Sequence, residues 1–314
     1  MNIPSTAVPT ALRIASTIAW GVTPEYLDII EAICAGLTDP KAVATDSGER
    51  KQNTRTVEIR DGVAIIPVYS VIFRRAGLFD DISGAAASVQ TIAKDFYAAL
   101  HDPAVKAIIF DFDTPGGEVN GIAELAAIIY ASRGIKPIKA YVGDLCASAG
   151  YWLAVACDEI IMHRTARVGS IGILAIANIA KNPNQKRFTS KHAPNKNVPA
   201  DTSKGESLIQ EEIDTAGDMF IEDVATMRAV SNETVLADFG QGGILFAEAA
   251  IAVGMADRLG SYEGLITELQ QGGKPQAANT FAVVVDKTLV ANFQTAVSAL
   301  SENQIEIRKI QKYD

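Results

Sequence analysis

The scarcities of this sequence narrow its chemistry before any motif is considered. Histidine occurs three times in 314 residues, at His101, His163 and His192. Cysteine is as sparse, and Cys34, Cys146 and Cys157 form no CxxC pair. So few and so widely spaced, they build neither a disulfide framework nor a structural zinc site, and reducing surroundings are expected. No run reaches the roughly 18 apolar residues of a membrane-spanning helix. The nearest, Val168 to Ala180, is short and rich in small residues. Prolines and an arginine interrupt the first twenty residues, which therefore lack the basic start and unbroken apolar core of a secretory signal. Basic charge is not in excess either. With 28 Lys and Arg against 37 Asp and Glu the net charge is −9, which disfavours nucleic acid or an anionic membrane as a bulk partner.

The remaining composition, 48% hydrophobic and 21% charged, is that of a globular protein. Residues 1–38 read as helical, with an apolar face that includes Tyr26, Leu27, Ile29, Ile30 and Ile33, and 38–56 as a polar linker, together an N-terminal extension over 1–56. A compact domain spans 57–269, and 270–314 form a second linker and a short tail with a strand at 281–286. Within the domain, apolar β-branched runs at 62–73, 105–119 and 136–145 alternate with helical patterns at 84–103, 121–134 and 148–158. One or two strands follow at 159–175, then a long amphipathic helix at 208–229. Such alternation predicts an α/β fold with a helix-packed sheet of βαβ type.

Two glycine-containing turns directly follow predicted strands. Pro115-Gly116-Gly117 bends the backbone sharply and leaves N–H groups unencumbered by side chains, as polarisation of a carbonyl requires. A simple βα turn would have the same composition. Ser148 lies in "CASAGYW" at the start of the next helix, where it reads either as an N-cap or as a nucleophile at the positive helix end. Neighbouring parallel strands would bring the two turns together at the carboxyl edge of the sheet. No histidine has a position suited to a base. The loop 181–204 instead carries six Lys or Arg against one acid. Lysine serves as the base in some serine proteases. It must then be neutral near pH 7, about 3 units below its reference value, which costs about 4 kcal/mol and needs a dry site.

The segments "AIIFDFDTPGGEVNGIAELAAII", "ASAGYWLAVACDEIIMHRTARVGSIGIL" and "FAEAAIAVGMADRLGSYEGLI" together resemble the S49 peptidases. This family includes signal peptide peptidase A and the capsid assembly proteases of tailed phages. The likeness covers about residues 60–269, and the N-terminal 40 residues resemble the phage-type branch. It implies a ClpP/crotonase-like spiral of ββα units and a Ser-Lys dyad. Ser148 corresponds to the nucleophile, and Lys196, with Lys191 as the alternative, to the base. Gly116 or Gly117 with the amide of Ser148 or Ala149 corresponds to the oxyanion hole, and Ser170 is a candidate for orienting the lysine. It further implies no cofactor or metal, a ring-like homo-oligomer, and protein substrates such as phage capsid, portal or scaffold proteins. The expected location is the host cytoplasm or procapsid interior, with no membrane anchor. Two other roles stand beside capsid maturation: a soluble peptidase of signal-peptide remnants, and an inactive scaffold-binding protein.

Overall fold

The computed structural model describes residues 15–16, 18–35, 37, 57–75, 87–177 and 188–272. In chain order its elements are β1 (Ala19–Val22), α1 (Pro24–Cys34), β2 (Glu58–Arg60), β3 (Val63–Tyr69), β4 (Ile72–Phe73), β5 (Ala87–Ser88) and α2 (Val89–His101). Next come β6 (Ala107–Thr114), β7 (Gly116–Glu118), α3 (Ile122–Ala131), β8 (Ile138–Ala147), α4 (Ala149–Ala154), β9 (Glu159–Met162), β10 (Arg167–Gly169) and β11 (Leu174–Ala175). The last are α5 (Ser203–Arg228), α6 (Asn232–Asp238), β12 (Ile244–Phe246), α7 (Ala247–Ala252), β13 (Arg258–Leu259) and α8 (Tyr262–Gln270).

The strands divide between two sheets. The larger runs β12-β10-β8-β6-β3-β2, with β9 and β13 branching from β8, and the smaller runs β11-β1-β7-β4-β5. A repeated unit explains the division. In β3-β4-α2, β6-β7-α3 and β10-β11-α5 the first strand joins the large sheet, the second joins the small sheet, and a helix follows. This is the α/β spiral of ββα units that the family resemblance implies. The run 62–73 reads as one strand but is two, because Ser70 turns the chain at φ 62° between the sheets.

Strands β3, β6 and β8 pair in parallel, and β-branched and aromatic residues bury both faces. One face packs Phe110, Phe112 and Ile108 against α2, α3 and α4. On the other, Ile65, Ile109 and Tyr141 meet Leu265, Ile266 and Leu269 of α8. A third, smaller cluster joins Trp20 and Val22 of β1 to Leu27, Ile30 and Cys34 of α1 and to Val71 and Phe73. The helical reading of residues 1–38 therefore needs correction. Among the described residues up to 37, Pro24–Cys34 form a helix, and a four-residue strand precedes it. Four residues are too few for a period of two to register in the sequence. The strand expected at 281–286 lies outside the described residues.

Candidate active site

Strand β8 pairs with two neighbours in succession, and this sets the geometry at its carboxyl end. Residues 139–142 lie beside β9, whereas Leu145, Cys146 and Ala147 lie beside Arg167, Val168 and Gly169 of β10. The Val168–Gly172 turn is thereby carried next to Ser148. The Ser148 N–H donates to the Gly169 carbonyl at 2.8 Å. Its hydroxyl donates to the Gly172 carbonyl at 3.4 Å, a long and weak bond.

Ser148 stands first before α4, but it does not cap the helix: its side chain accepts no bond from the first turn. The backbone is at φ 50°, ψ −117°, a conformation costing a non-glycine residue about 1–3 kcal/mol. A strand, a strained serine and a helix in succession form the turn that aims a hydroxyl outward from a sheet edge. Packing holds this turn in place. Trp152 stacks on Phe220 of α5 with centroids 4.2 Å apart, and its indole N–H donates to Asp223 at 2.8 Å. The Tyr151 hydroxyl donates to the Met255 carbonyl.

The second turn comes from the adjacent strand. β6 is parallel to β8, and its register shifts between Phe112 and Thr114, so that Thr114 lies opposite Cys146. The Thr114 hydroxyl donates to the Ser70 carbonyl at 2.6 Å and accepts from the Gly116 N–H at 3.1 Å. This one side chain ties the Pro115-Gly116-Gly117 turn to the bend between the sheets. Gly116 is at φ +104°, and a Cβ there would lie 2.0 Å from the Gly21 carbonyl oxygen and 3.0 Å from that of Ala147. A Cβ on Gly117 would lie 1.9 Å from the Ile72 carbonyl oxygen. Both positions thus require glycine, and the turn abuts the residue preceding Ser148.

The donors expected near Ser148 are differently engaged. The amides of Ser148 and Gly116 already have acceptors, Gly169 and Thr114. The Ala149 N–H, at the start of α4, has none among the described residues, as expected of a first-turn amide. Gly117 pairs with Gly21 of β1. Thr23 N–H to Pro115 and Val119 N–H to Ala19 flank that pair at two-residue spacing. Antiparallel alternation therefore makes Gly21 and Gly117 a hydrogen-bonded pair, with the Gly117 N–H on the Gly21 carbonyl.

The basic residues are not assembled with these groups. Lys191 and Lys196 are both exposed, in a segment of turns preceding α5, and neither hydrogen-bonds to Ser148. Ser170, at φ 55° and nearly buried, gives its N–H to Gly243 at 2.7 Å, and its hydroxyl bonds to neither lysine. The histidines are elsewhere engaged or exposed. His101 contacts the Tyr97 carbonyl, His163 contacts Thr165, and His192 is exposed.

One titratable group is strongly displaced. Burial pushes the Asp111 carboxyl up to about 6, with the Asp113 charge adding to it and the Tyr69 hydroxyl bond opposing it. On β6 it is two residues from Ile109 and shares the sheet face under α8. Among the described residues no cluster of three His, Cys, Asp or Glu could hold a metal ion. No helix among them is long and apolar enough to cross a membrane. Two features of the site went unread in the sequence: Thr114, flagged there only by its place before the Pro-Gly-Gly turn, and β1.

Comparison with known proteins shows what the chain is similar to. Residues 131–275 match Peptidase family S49. Capsid assembly protease C of Escherichia phage lambda is 30% identical over 251 residues, covering 74% of this chain and 55% of that protein. Head-tail preconnector protein GP5 of Enterobacteria phage P21 is 26% identical, covering 81% and 54%. Protease 4 of Salmonella typhi is 27% identical, covering 82% and 45%. The chain thus spans about half the length of these relatives. Among solved structures, a ClpP1 variant from Listeria monocytogenes aligns with a TM-score of 0.43 at 15% identity, over 64% of this chain and 94% of that one.

Proposed function

From a chain that carries the S49 peptidase region and resembles phage head proteases along most of its length, we propose a serine endopeptidase with Ser148 as nucleophile. The observation that carries this reading is the Ser148 backbone. A serine held at φ 50°, ψ −117° gains no capping bond to offset its strain. The adjacent glycine turn and the Ala149 amide, which has no acceptor among the described residues, support an oxyanion site beside it.

In the proposed reaction a neutral lysine takes the Ser148 proton as Oγ bonds to a peptide carbonyl carbon. The amides of Ala149 and of Gly116 or Gly117 stabilise the oxyanion that forms. As the tetrahedral adduct collapses, the C–N bond breaks and the lysine returns the proton to the leaving amine. Water then attacks the acyl-enzyme, again with lysine as base, and releases the acid and Ser148. Lys196 is the proposed base, with Lys191 as the alternative and Ser170 as its orienter. Both lysines are exposed in this arrangement, so the dyad forms only when the segment around them closes over the serine or a second copy supplies the residue. No cofactor enters the reaction.

The proposed role is maturation of a phage or prophage capsid inside the procapsid, by a homo-oligomer acting on scaffold, portal or other head proteins. The likeness to capsid assembly protease C supports it. The likeness to Protease 4 supports a signal-peptide-degrading enzyme as the second reading. The exposed lysines support an inactive scaffold-binding protein as the third. Incubation with an unfolded protein substrate tests the chemistry. The wild type should cleave, and Ser148→Ala and Lys196→Ala should not. Cleavage that survives both substitutions excludes the dyad, and cleavage lost only in Lys191→Ala reassigns the base.

A further inference from the structure

Ser148 is completely buried, although a protein substrate must reach its hydroxyl. β1 is one of the elements packed over it. Gly21 lies against the serine: a Cβ added there would be 3.4 Å from Ser148 Oγ, from the Ala149 nitrogen and from Ala149 Cβ. The same strand pairs antiparallel on one side with β7, the strand of the glycine turn, in the register Trp20–Glu118, Gly21–Gly117 and Val22–Gly116. On its other side it pairs antiparallel with β11, Ala19 with Ala175 and Trp20 with Leu174. β1 therefore lies extended between two strand edges, its main chain hydrogen-bonded on the site side and its small residue against the hydroxyl.

This is how an extended peptide docks to a sheet edge, with main-chain pairing for affinity and alternate side chains for selection. The alternation is explicit. Gly21 faces the serine, whereas Trp20 and Val22 face away into the cluster with α1, Val71 and Phe73. Trp20 meets Phe73 edge-on, with centroids 6.0 Å apart. The Gly117 amide, one of the expected oxyanion donors, is taken by the Gly21 carbonyl.

We propose that β1 is an intramolecular occupant of the peptide groove over Ser148, and that the groove opens to other segments only when β1 withdraws. The inference rests on the peptidase reading for the consequence of opening, but not for the occupancy itself. The sequence of β1 also defines what can replace it. The competing segment is extended, places a large apolar residue where Trp20 sits, and has glycine or alanine next, since anything larger would collide with Ser148 and Ala149.

A reversible lock tests this on the full chain. Ala19 and Ala175 are cross-strand partners, at a spacing that a disulfide spans, and the three native cysteines are buried. The double variant Ala19→Cys/Ala175→Cys is combined with Ser148→Ala and titrated with a fluorescent peptide copying residues 15–25. The reduced form should bind the peptide, and oxidation should weaken binding at least tenfold. With Ser148 present, turnover of an unfolded protein should fall in parallel on oxidation and return with reductant. A Trp20→Ala chain, which weakens the cis strand without a cross-link, should bind the peptide more tightly and turn over faster. A Trp20→Ala peptide should bind more weakly. Equal binding in both redox states, or binding in neither, overturns the proposal. Redox-gated binding with no turnover in any Ser148 form leaves the proposal standing and refutes the peptidase reading.

Discussion

The surroundings of Ser148 and the segment 188–202 contribute to the same proposed reaction but are built in opposite ways. Ser148, Thr114, Gly116 and Gly117 sit where two parallel strands end side by side, and buried contacts hold each backbone. Lys191 and Lys196 lie on exposed turns with few contacts to hold them. Sheet topology can preorganise a nucleophile and backbone donors, because strand register sets their positions to within a residue. A base on a surface segment is placed only when something covers it. In the proposed reaction the strained nucleophile turn is thus permanent, whereas the proposed proton acceptor is conditional.

The sharpest way to break the comparison is at the serine. Ser148→Ala should reduce cleavage of an unfolded substrate at least about 1000-fold while leaving the melting temperature nearly unchanged. Lys196→Ala should cost about 100-fold or more. If a second copy supplies the lysine, an equimolar mixture of Ser148→Ala and Lys196→Ala chains should recover part of the activity, whereas delivery within one chain predicts none.

Gly117→Ala probes the rigid half from the packing side. A Cβ 1.9 Å from the Ile72 carbonyl must push β7 off β4, so a loss of several kcal/mol, on the order of 2–4, is expected in denaturant unfolding. The same change at Gly217, a half-buried position where an added Cβ meets nothing within 4 Å, should not destabilise its helix.

Asp111 separates stability from catalysis within the same sheet. Its folded carboxyl is raised to about 6, so the folded state binds the proton more tightly than the unfolded chain. The stability it allows is complete below about pH 4 and is lost as pH rises through 6. Asp111→Asn should therefore stabilise the protein by about 3 kcal/mol at pH 8 and by almost nothing at pH 4, read by denaturant unfolding at the two pH values. The smallest effect expected is from Ser148→Gly. It relieves the backbone strain and should raise stability by about 1 kcal/mol while abolishing cleavage. A loss of stability instead would mean that the serine side chain supports the turn.

Much of the rigid half was legible in the sequence, because its signals are local. β-branched runs alternating with helical ones declared a helix-packed sheet, though not the second strand of each ββα unit, and the Pro-Gly-Gly turn and the small residues around Ser148 each declare a backbone requirement that neighbours in sequence create. The N-cap reading of Ser148 was equally open on those grounds. Backbone angles and the missing cap bond argue against it, and neither can be read from composition. The N-terminal strand was not legible for a different reason. Residues 19–22 become a strand only because β7 and β11 offer edges on both sides, and their partners are about 100 and 150 positions away.

By itself, then, the sequence determined the chemical inventory and the local turns: a serine and a glycine turn at strand ends, scarce histidine, and a basic loop. Tertiary structure alone decided what stands beside what. It set Gly116 against Ala147, laid Gly21 over Ser148, and left Lys196 in solvent. The physical reason is that turn geometry follows from short-range sterics, whereas strand pairing and the placement of a surface loop depend on contacts that exist only after the sheets have formed.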